Sequence, residues 1–194
     1  MIFDCVLLAA GSGKRFGGDK LQHPVGGMPM IRHACMLYAG LPFRNRILVV
    51  RPGDPVIADC GREFSFRILE NPDHERGIGT STAAGAKELL AEPEQPDAVL
   101  YGVSDQPYLS AQTVQLLADA FREHPGRICI PVCGNRRGNS VLFPADLLQE
   151  LAALDADTGG KAVIRKHEDR VFPVEIEKER EMKDIDYREE DEHE

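Results

Sequence analysis

The chain has 194 residues, of which 42% are hydrophobic and 28% are charged, as in folded globular proteins. This length fits one domain, which can bury a core without disulfide or metal staples. The formal net charge is −9, but residues 175–194 hold 11 acids and 4 bases, so the first 174 residues are nearly neutral. A nearly neutral body lacks the basic surface that nucleic-acid binding requires, so no nucleic-acid partner is expected.

Apolar runs and cysteines indicate the compartment. The longest apolar run covers residues 5–10 and is far shorter than the ~20 residues of a membrane-spanning helix. No basic segment precedes it, so a signal peptide is not expected. Five cysteines occur without a CxxC pair, which is typical of reduced thiols. The sequence therefore predicts a cytoplasmic protein without membrane contact.

Strand-like and helix-like segments alternate along the chain. In chain order, we predict a strand at 3–9, a helix at 30–38, strands at 46–50 and 64–69 around a short helix at 54–60, a helix at 80–90, a strand at 98–103, a helix at 110–121, strands at 127–132 and 140–143, a helix at 145–154 and a strand at 170–176. Thr80 or Ser81 is the predicted N-cap of the helix at 80–90. Such alternation with apolar strands predicts an α/β fold, a mostly parallel sheet that binds ligands at the carboxyl ends of its strands.

The first predicted strand leads into a glycine-rich loop. Five of the six residues at positions 8–13 are small; the six are Leu8, Ala9, Ala10, Gly11, Ser12 and Gly13. Small residues let the backbone approach a ligand closely, and its amides can then cradle phosphate oxygens. Arg15 and Lys20 add two positive charges to this loop. We therefore predict a phosphate-binding loop.

Two common phosphate motifs do not fit this loop. A Walker P-loop requires Gly where Leu8 stands and Ser or Thr where Arg15 stands. In a dinucleotide fingerprint, the third glycine would come one residue before Gly17. The sequence pattern also allows a glycine-rich surface loop without a ligand.

Further motifs follow the loop in a fixed order. The loop itself continues through Arg15, Phe16, Gly17 and Gly18 to Lys20 and Leu21. Later motifs are PVGGMPM at 24–30, SDQP at 104–107, RGNSVLF at 137–143, DTGGK at 157–161 and DID at 184–186. Together they resemble, from residue 5 to about 191, the nucleotidyltransferases that make dinucleotide forms of the molybdenum cofactor. The chain departs from that family's pattern at Ser104, usually Gly, at Ser140, usually Pro, and after Asp186.

This resemblance implies a three-layer, Rossmann-like nucleotidyltransferase fold with a mostly parallel sheet. Length and charge composition predict one domain over residues 1–187, followed by an acidic tail at 188–194 that we expect to be disordered. The implied enzyme is a Mg²⁺-dependent transferase that joins a nucleoside monophosphate to a phosphorylated acceptor. Both reactants are anions, so catalysis depends on positioning and charge neutralisation.

The resemblance also assigns roles to individual residues. Arg15 and Lys20 would hold the β- and γ-phosphates, and Asp105 and Asp186 would hold the metal. Carboxylates with phosphate oxygens are the ligands that Mg²⁺ prefers. Asp184, two residues before Asp186, would point the same way in an extended segment and is the alternative ligand. Readings without a ligand are a turn cap for Asp105, one more acid of the acidic tail for Asp186, and solvated surface charge for the two cations.

Two further groups of residues are implied around the substrates. The nucleotide side would include the loop at 8–13 together with Arg15, Lys20, Asn71 and Ser81. The acceptor side would include Gly138, Asn139, Asp157, Thr158 and Gly159.

The substrates follow from the same comparison. Ala10 favours CTP, since cytidylyl members of the family tend to carry Leu-Ala-Ala-Gly and guanylyl members Leu-Ala-Gly-Gly. The implied acceptor is the molybdenum cofactor, and a molybdoenzyme or cofactor chaperone is the implied protein partner. A guanylyltransferase, a transferase acting on a sugar or alcohol phosphate, and a non-catalytic cofactor carrier remain alternatives.

Overall fold

The computed structural model describes residues 1–11, 13 and 16–185, without the side chain of Asp157. The predicted tail at 188–194 lies outside these residues. The strands are β1 (Phe3–Leu8), β2 (Pro24–Val25), β3 (Met28–Pro29), β4 (Arg46–Val50), β5 (Arg67–Glu70), β6 (Ala98–Val103), β7 (Ile128–Cys133), β8 (Arg136–Arg137), β9 (Val141–Pro144) and β10 (Val171–Glu175). The α-helices are α1 (Met30–Ala39), α2 (Pro55–Glu63), α3 (Ile78–Leu90), α4 (Ala111–Glu123), α5 (Leu148–Ala152) and α6 (Gly159–Lys166). None of these helices is long and apolar enough to cross a membrane.

One large sheet runs through the molecule in the order β10-β7-β9-β6-β1-β4-β5, with β8 paired to β7. The pairs β10–β7, β6–β1, β1–β4 and β4–β5 are parallel, whereas β9 is antiparallel to both of its neighbours. The predicted α/β fold with a mostly parallel sheet is therefore confirmed. Because β9 runs the other way, it begins at the edge where β1 and β6 end.

The core has two halves, one on each face of the sheet. In β1, Cys5 and Leu7 pack on one face with residues of α1, α2 and α4, whereas Val6 packs on the other with residues of α3, α5 and α6. This alternation follows from the two-residue period of a strand. The result is the three-layer arrangement that the sequence resemblance implies.

Close approach of α3 to the sheet depends on a glycine. A Cβ atom on Gly85 would lie 2.5 Å from Cγ1 of Val6, closer than packed carbon atoms come. The absence of a side chain at this position lets α3 lie directly against β1. This contact sets the distance between the middle of α3 and β1.

The predicted start of α3 is wrong. The N-cap is Gly77, with φ at 123°, a backbone angle that glycine tolerates best. Thr80 and Ser81 lie inside the helix, and the hydroxyl of Thr80 donates to the carbonyl oxygens of Asp73 and Gly77 at 3.1 and 2.8 Å. Thr80 therefore bonds to backbone carbonyl groups from inside the first turn of the helix. In the sequence, a threonine in this role looks the same as a threonine at the N-cap.

Other differences are smaller. The strand predicted at 64–69 begins only at Arg67, because the preceding residues complete the turn that ends α2. The β2–β3 hairpin and α6 were not predicted. Helix α6 begins with Gly159 and Gly160, and glycine is a poor helix former.

Candidate active site

The loop after β1 and the segment after β6 lie side by side because the two strands pair in parallel. Leu8 pairs with Val103 at the ends of these strands. Beyond that pair, the backbone amide and the hydroxyl of Ser104 both donate to the carbonyl oxygen of Leu8, at 3.2 and 2.9 Å. Asp105 is thereby held next to the glycine-rich loop, as the strand-end argument predicts.

An ion pair joins the two segments. Nζ of Lys20 lies 2.7 Å from Oδ2 of Asp105, and the two side chains are only 12% and 28% exposed. The loop reaches this position by folding tightly on itself. Gly13 has φ at 58°, and a Cβ there would lie 2.5 Å from the carbonyl oxygen of Gly18. Glycine at position 13 is therefore required by the turn of the loop itself.

A cleft of about 540 Å³ opens beside this loop; we name it the β1 cleft. Its walls include Leu8, Ala9, Ala10, Gly11, Gly13, Lys20, Ser81 and Asp105, all predicted site residues. Asn71 is not part of the wall. Its buried amide donates to the hydroxyls of Thr80 and Ser81 at 2.9 Å each, so it holds the first turn of α3 in place. Ser12 and Arg15 lie outside the described residues.

A second cleft, of about 550 Å³, lies towards β9; we name it the β9 cleft. Its walls include the predicted acceptor residues Gly138, Asn139, Thr158 and Gly159, and the side chain of Asp157 is outside the described part. The two clefts share Leu8, Ile78, Val103 and Asp105. Asp105 therefore stands where the clefts meet, in position to act on a bond between two bound molecules.

A second carboxylate, Asp184, lies in the β9 cleft. Both of its oxygens accept hydrogen bonds from Nδ2 of Asn139, at 3.1 and 2.9 Å. Burial raises the pKa of Asp184, and the charge of Asp105 raises it further, against hydrogen bonds from Asn139 and Gln106. The structure thus brings Asp184 towards Asp105, whereas Asp186 lies outside the described residues.

We name residues 176–185 the C-terminal strap. This segment follows β10 and brings Asp184 to the β9 cleft. The amide of Ile185 donates to the carbonyl oxygen of Asp105 at 3.1 Å, and Nε2 of Gln106 donates to that of Met182 at 3.1 Å. Oε2 of Glu181 accepts from the hydroxyls of Ser110 and Thr113 at 2.7 and 2.6 Å. Sequence analysis missed these anchors, because each joins residues about 70 or more positions apart.

The carboxylates at this edge suit a hard divalent cation. The charge of Asp105 contributes to the raised pKa of Asp184, and a cation near two such carboxylates would stabilise both charges. Within the described residues, no group of three or more His, Cys, Asp or Glu side chains is arranged to hold a metal. An ion such as Mg²⁺ would need only one or two carboxylates here, with phosphate oxygens and water completing its shell.

Fold and site together define a nucleotidyltransferase-type domain. It has a glycine-rich loop at the end of β1, a carboxylate after β6, and two clefts that meet at this carboxylate. Residues 5–171 match the family described as the MobA-like NTP transferase domain, and the chain belongs to this family. The resemblance drawn from the sequence motifs is thereby confirmed at the level of the family.

Curated relatives carry different names. The chain is 32% identical over 174 residues to the nicotine blue oxidoreductase of Paenarthrobacter nicotinovorans, covering 83% of this chain and 80% of that protein. It is 33% identical over 122 residues to the bifunctional protein GlmU of Cereibacter sphaeroides, covering 61% of this chain. The match spans about a quarter of the GlmU length, 26%.

Solved structures share the fold. A homolog of Mycobacterium tuberculosis rv0371c from Mycobacterium sp. strain JC1 superimposes with a TM-score of 0.82 at 20% identity, covering 97% of this chain and 92% of that one. The M. tuberculosis H37Rv protein Rv0371C, in complex with manganese, has a TM-score of 0.71 at 17% identity, covering 91% and 89%. At these identities the likeness concerns the fold.

Proposed function

We propose that the chain transfers CMP from CTP to the phosphate of the molybdenum cofactor and releases pyrophosphate. The observation that carries this proposal is the pair of clefts that meet at Asp105. One contains the glycine-rich loop and Lys20, which suit a triphosphate; the other contains Asn139 and Asp184, which suit an acceptor. Membership of an NTP transferase family supports the reaction class.

The reaction brings two anions together. An oxygen of the acceptor phosphate attacks the α-phosphorus of CTP, a new P–O bond forms, and the bond to the leaving pyrophosphate breaks. Lys20 supplies positive charge beside the loop, where the β- and γ-phosphates would lie, and Arg15 is the predicted second cation. Charge neutralisation and alignment of this kind account for most of the catalysis in phosphoryl and nucleotidyl transfer.

Asp105 would hold Mg²⁺, with Asp186 as the predicted second ligand and Asp184 as the alternative. When bound, the ion would neutralise phosphate charge and polarise the α-phosphate. Manganese in the Rv0371C complex supports the use of a divalent ion in proteins of this fold. Ala10 borders the β1 cleft, and its side chain is 3% exposed and packed in the core. Because cytidylyl members of the family that the sequence resembles tend to carry Leu-Ala-Ala-Gly, we propose CTP over GTP.

The test is release of pyrophosphate from the purified full chain. Wild type is mixed with Mg²⁺, the molybdenum cofactor and either CTP or GTP, and each component is left out in turn. We expect pyrophosphate only in the complete mixture, faster with CTP, together with a cytosine dinucleotide product. Release that needs no cofactor, or none with either nucleotide, contradicts the proposal. Sugar phosphates in place of the cofactor test the alternative acceptors, and binding of the cofactor without turnover would indicate a carrier.

A redox activity is a second candidate, since the nicotine blue oxidoreductase matches over most of both chains. The same preparation is mixed with nicotine blue and followed by absorbance, with and without a nicotinamide or flavin electron donor. Colour change that depends on the protein, without pyrophosphate release in the first assay, would favour this candidate. Because the Lys20–Asp105 pair lies at the glycine-rich loop, we expect pyrophosphate release and no colour change.

A further inference from the structure

Arg165 is an exception among the arginines of the described chain. Every other one makes a hydrogen bond, an ion pair or a ring contact with the protein; Arg137, for example, pairs with Glu168. Arg165 and Lys161, both exposed, have no such partner within the described residues. The chain has 32 acids and only 23 lysines and arginines, so a shortage of acids does not explain the missing partners.

The two cations lie one helical turn apart on α6 and both line the β9 cleft. Like charges at positions i and i+4 of a helix repel each other and destabilise it. Lys166, on the same helix, instead pairs with Glu150 at 2.8 Å and is not part of the cleft wall. The unpaired charge of α6 is therefore on its cleft-facing side.

Another part of the wall of the β9 cleft is apolar. Tyr101 and Phe143 are buried there, with ring centroids 5.8 Å apart and an interplanar angle of 86°. Ile130 and Ile164 complete this surface. Apolar and aromatic side chains with a few charged groups are typical of sites for small organic ligands.

Acidic and basic side chains both line the β9 cleft. Asp105 lies where it joins the β1 cleft, Asp184 accepts hydrogen bonds from Asn139, and Lys161 and Arg165 belong to α6. A molecule whose phosphate reacts near Asp105 would extend over the apolar surface towards α6. The guanidinium group of arginine binds oxyanions through two parallel hydrogen bonds, and lysine adds a mobile point charge.

We propose that Lys161 and Arg165 bind a second anionic group of the acceptor, at the end away from its reacting phosphate. The acceptor class is thus an organic phosphate with a second anionic group and an apolar body between the two. This inference rests on the proposed function for the orientation of the acceptor. The anion site itself can be tested without turnover.

The test compares two fluorescent pterins on the full chain, pterin-6-carboxylate and the uncharged 6-hydroxymethylpterin. Kd values are measured by fluorescence titration at low salt for wild type, for the Lys161→Gln/Arg165→Gln double variant and for Lys166→Gln as the matched control. We expect wild type to prefer the carboxylate by about tenfold, the worth of one charge-assisted contact. The double variant should lose that preference and Lys166→Gln should keep it. The inference is overturned if wild type binds the two pterins with equal Kd values, or if the double variant keeps the preference for the carboxylate.

Turnover separates this inference from the proposed function. In the pyrophosphate assay, the double variant should raise the KM for the molybdenum cofactor by about tenfold and leave the KM for CTP unchanged. Transfer by wild type with no change of KM in the double variant overturns the anion site alone. If wild type makes no dinucleotide yet the carboxylate preference depends on Lys161 and Arg165, the anion site stands and the proposed function fails.

Discussion

The ammonium group of Lys20 lies 2.7 Å from Oδ2 of Asp105, although the two residues are 85 positions apart in the chain. Each therefore neutralises the other in the protein without substrate. A triphosphate would compete for Lys20, and a divalent cation would compete for Asp105. When both bind, the Lys20–Asp105 ion pair is replaced by two others, Lys20 with the triphosphate and Asp105 with the metal. Metal and nucleotide should therefore each strengthen the binding of the other.

Asp105→Asn tests the carboxylate at the junction of the clefts. We expect kcat/KM for nucleotidyl transfer to fall by roughly 100-fold or more, because a preorganised charge at the reacting phosphate is lost. The free energy of unfolding should fall by about 1–3 kcal/mol, since the ion pair is mostly buried and Lys20 loses a charged partner. Pyrophosphate release and urea denaturation measure the two effects. Asp119→Asn, which removes an exposed acid from α4, is the control; wild-type turnover in Asp105→Asn would exclude the role.

Ala10→Gly tests the choice of base. Glycine at this position of the cleft wall is the residue that guanylyl members tend to carry, so the ratio of kcat/KM for CTP over GTP should fall. One methylene in a pocket typically changes such a ratio by about 10- to 200-fold. Both nucleotides are compared with the same acceptor in wild type and variant. A GTP preference in wild type, or an unchanged ratio in Ala10→Gly, would contradict the assignment.

Magnesium titration distinguishes Asp186 from Asp184. We expect Asp186→Asn to raise the Mg²⁺ concentration for half-maximal rate by about tenfold or more, the loss of one charged ligand. Asp184→Asn should shift it less, because Asn139 holds that carboxylate. The opposite order of effects assigns the ligand to Asp184. Removal of residues 189–194 is the control and should leave the titration unchanged; a large shift would give the tail a role in metal binding.

Glu181→Gln tests the anchor of the C-terminal strap and its dependence on pH. Burial alone would raise the pKa of Glu181, but hydrogen bonds from Thr113 and Ser110 outweigh it and hold the pKa below its usual value. The folded state therefore binds this proton less readily than the unfolded chain. The stabilisation is present above the ordinary carboxyl pKa and is lost as the pH falls through the folded-state value.

At pH 7, Glu181→Gln should cost about 1–2 kcal/mol of unfolding free energy, and the difference from wild type should shrink in acid. Denaturation curves from pH 7 down to pH 3 measure it. Glu179→Gln, on the same strap but exposed and paired with Arg136, should stay within about 0.5 kcal/mol of wild type. A difference for Glu181→Gln that persists at pH 3 would rule out the charged hydrogen bonds as its cause.

Most strands could be predicted because their apolar runs are continuous and end in turn residues; β4 and β6 have the predicted bounds. The β2–β3 hairpin could not, since its strands of two residues each carry no period. Of the site, Lys20 and Asp105 follow from a loop and a strand end. Arg165 does not follow, because a charged residue on a short amphipathic helix looks the same in sequence whether it faces water or a cleft.

The anchoring of the C-terminal strap also bears on the order of events during synthesis. A single domain folds as one cooperative unit, and the anchors of the strap lie in the last five described residues, at Glu181, Met182 and Ile185. Asp184 lies between these anchors and lines the β9 cleft. A chain that is still being synthesised and ends before the strap therefore contains the glycine-rich loop and Asp105 but lacks Asp184 and the contacts that hold it. The acceptor side of the site is completed by almost the last described residues.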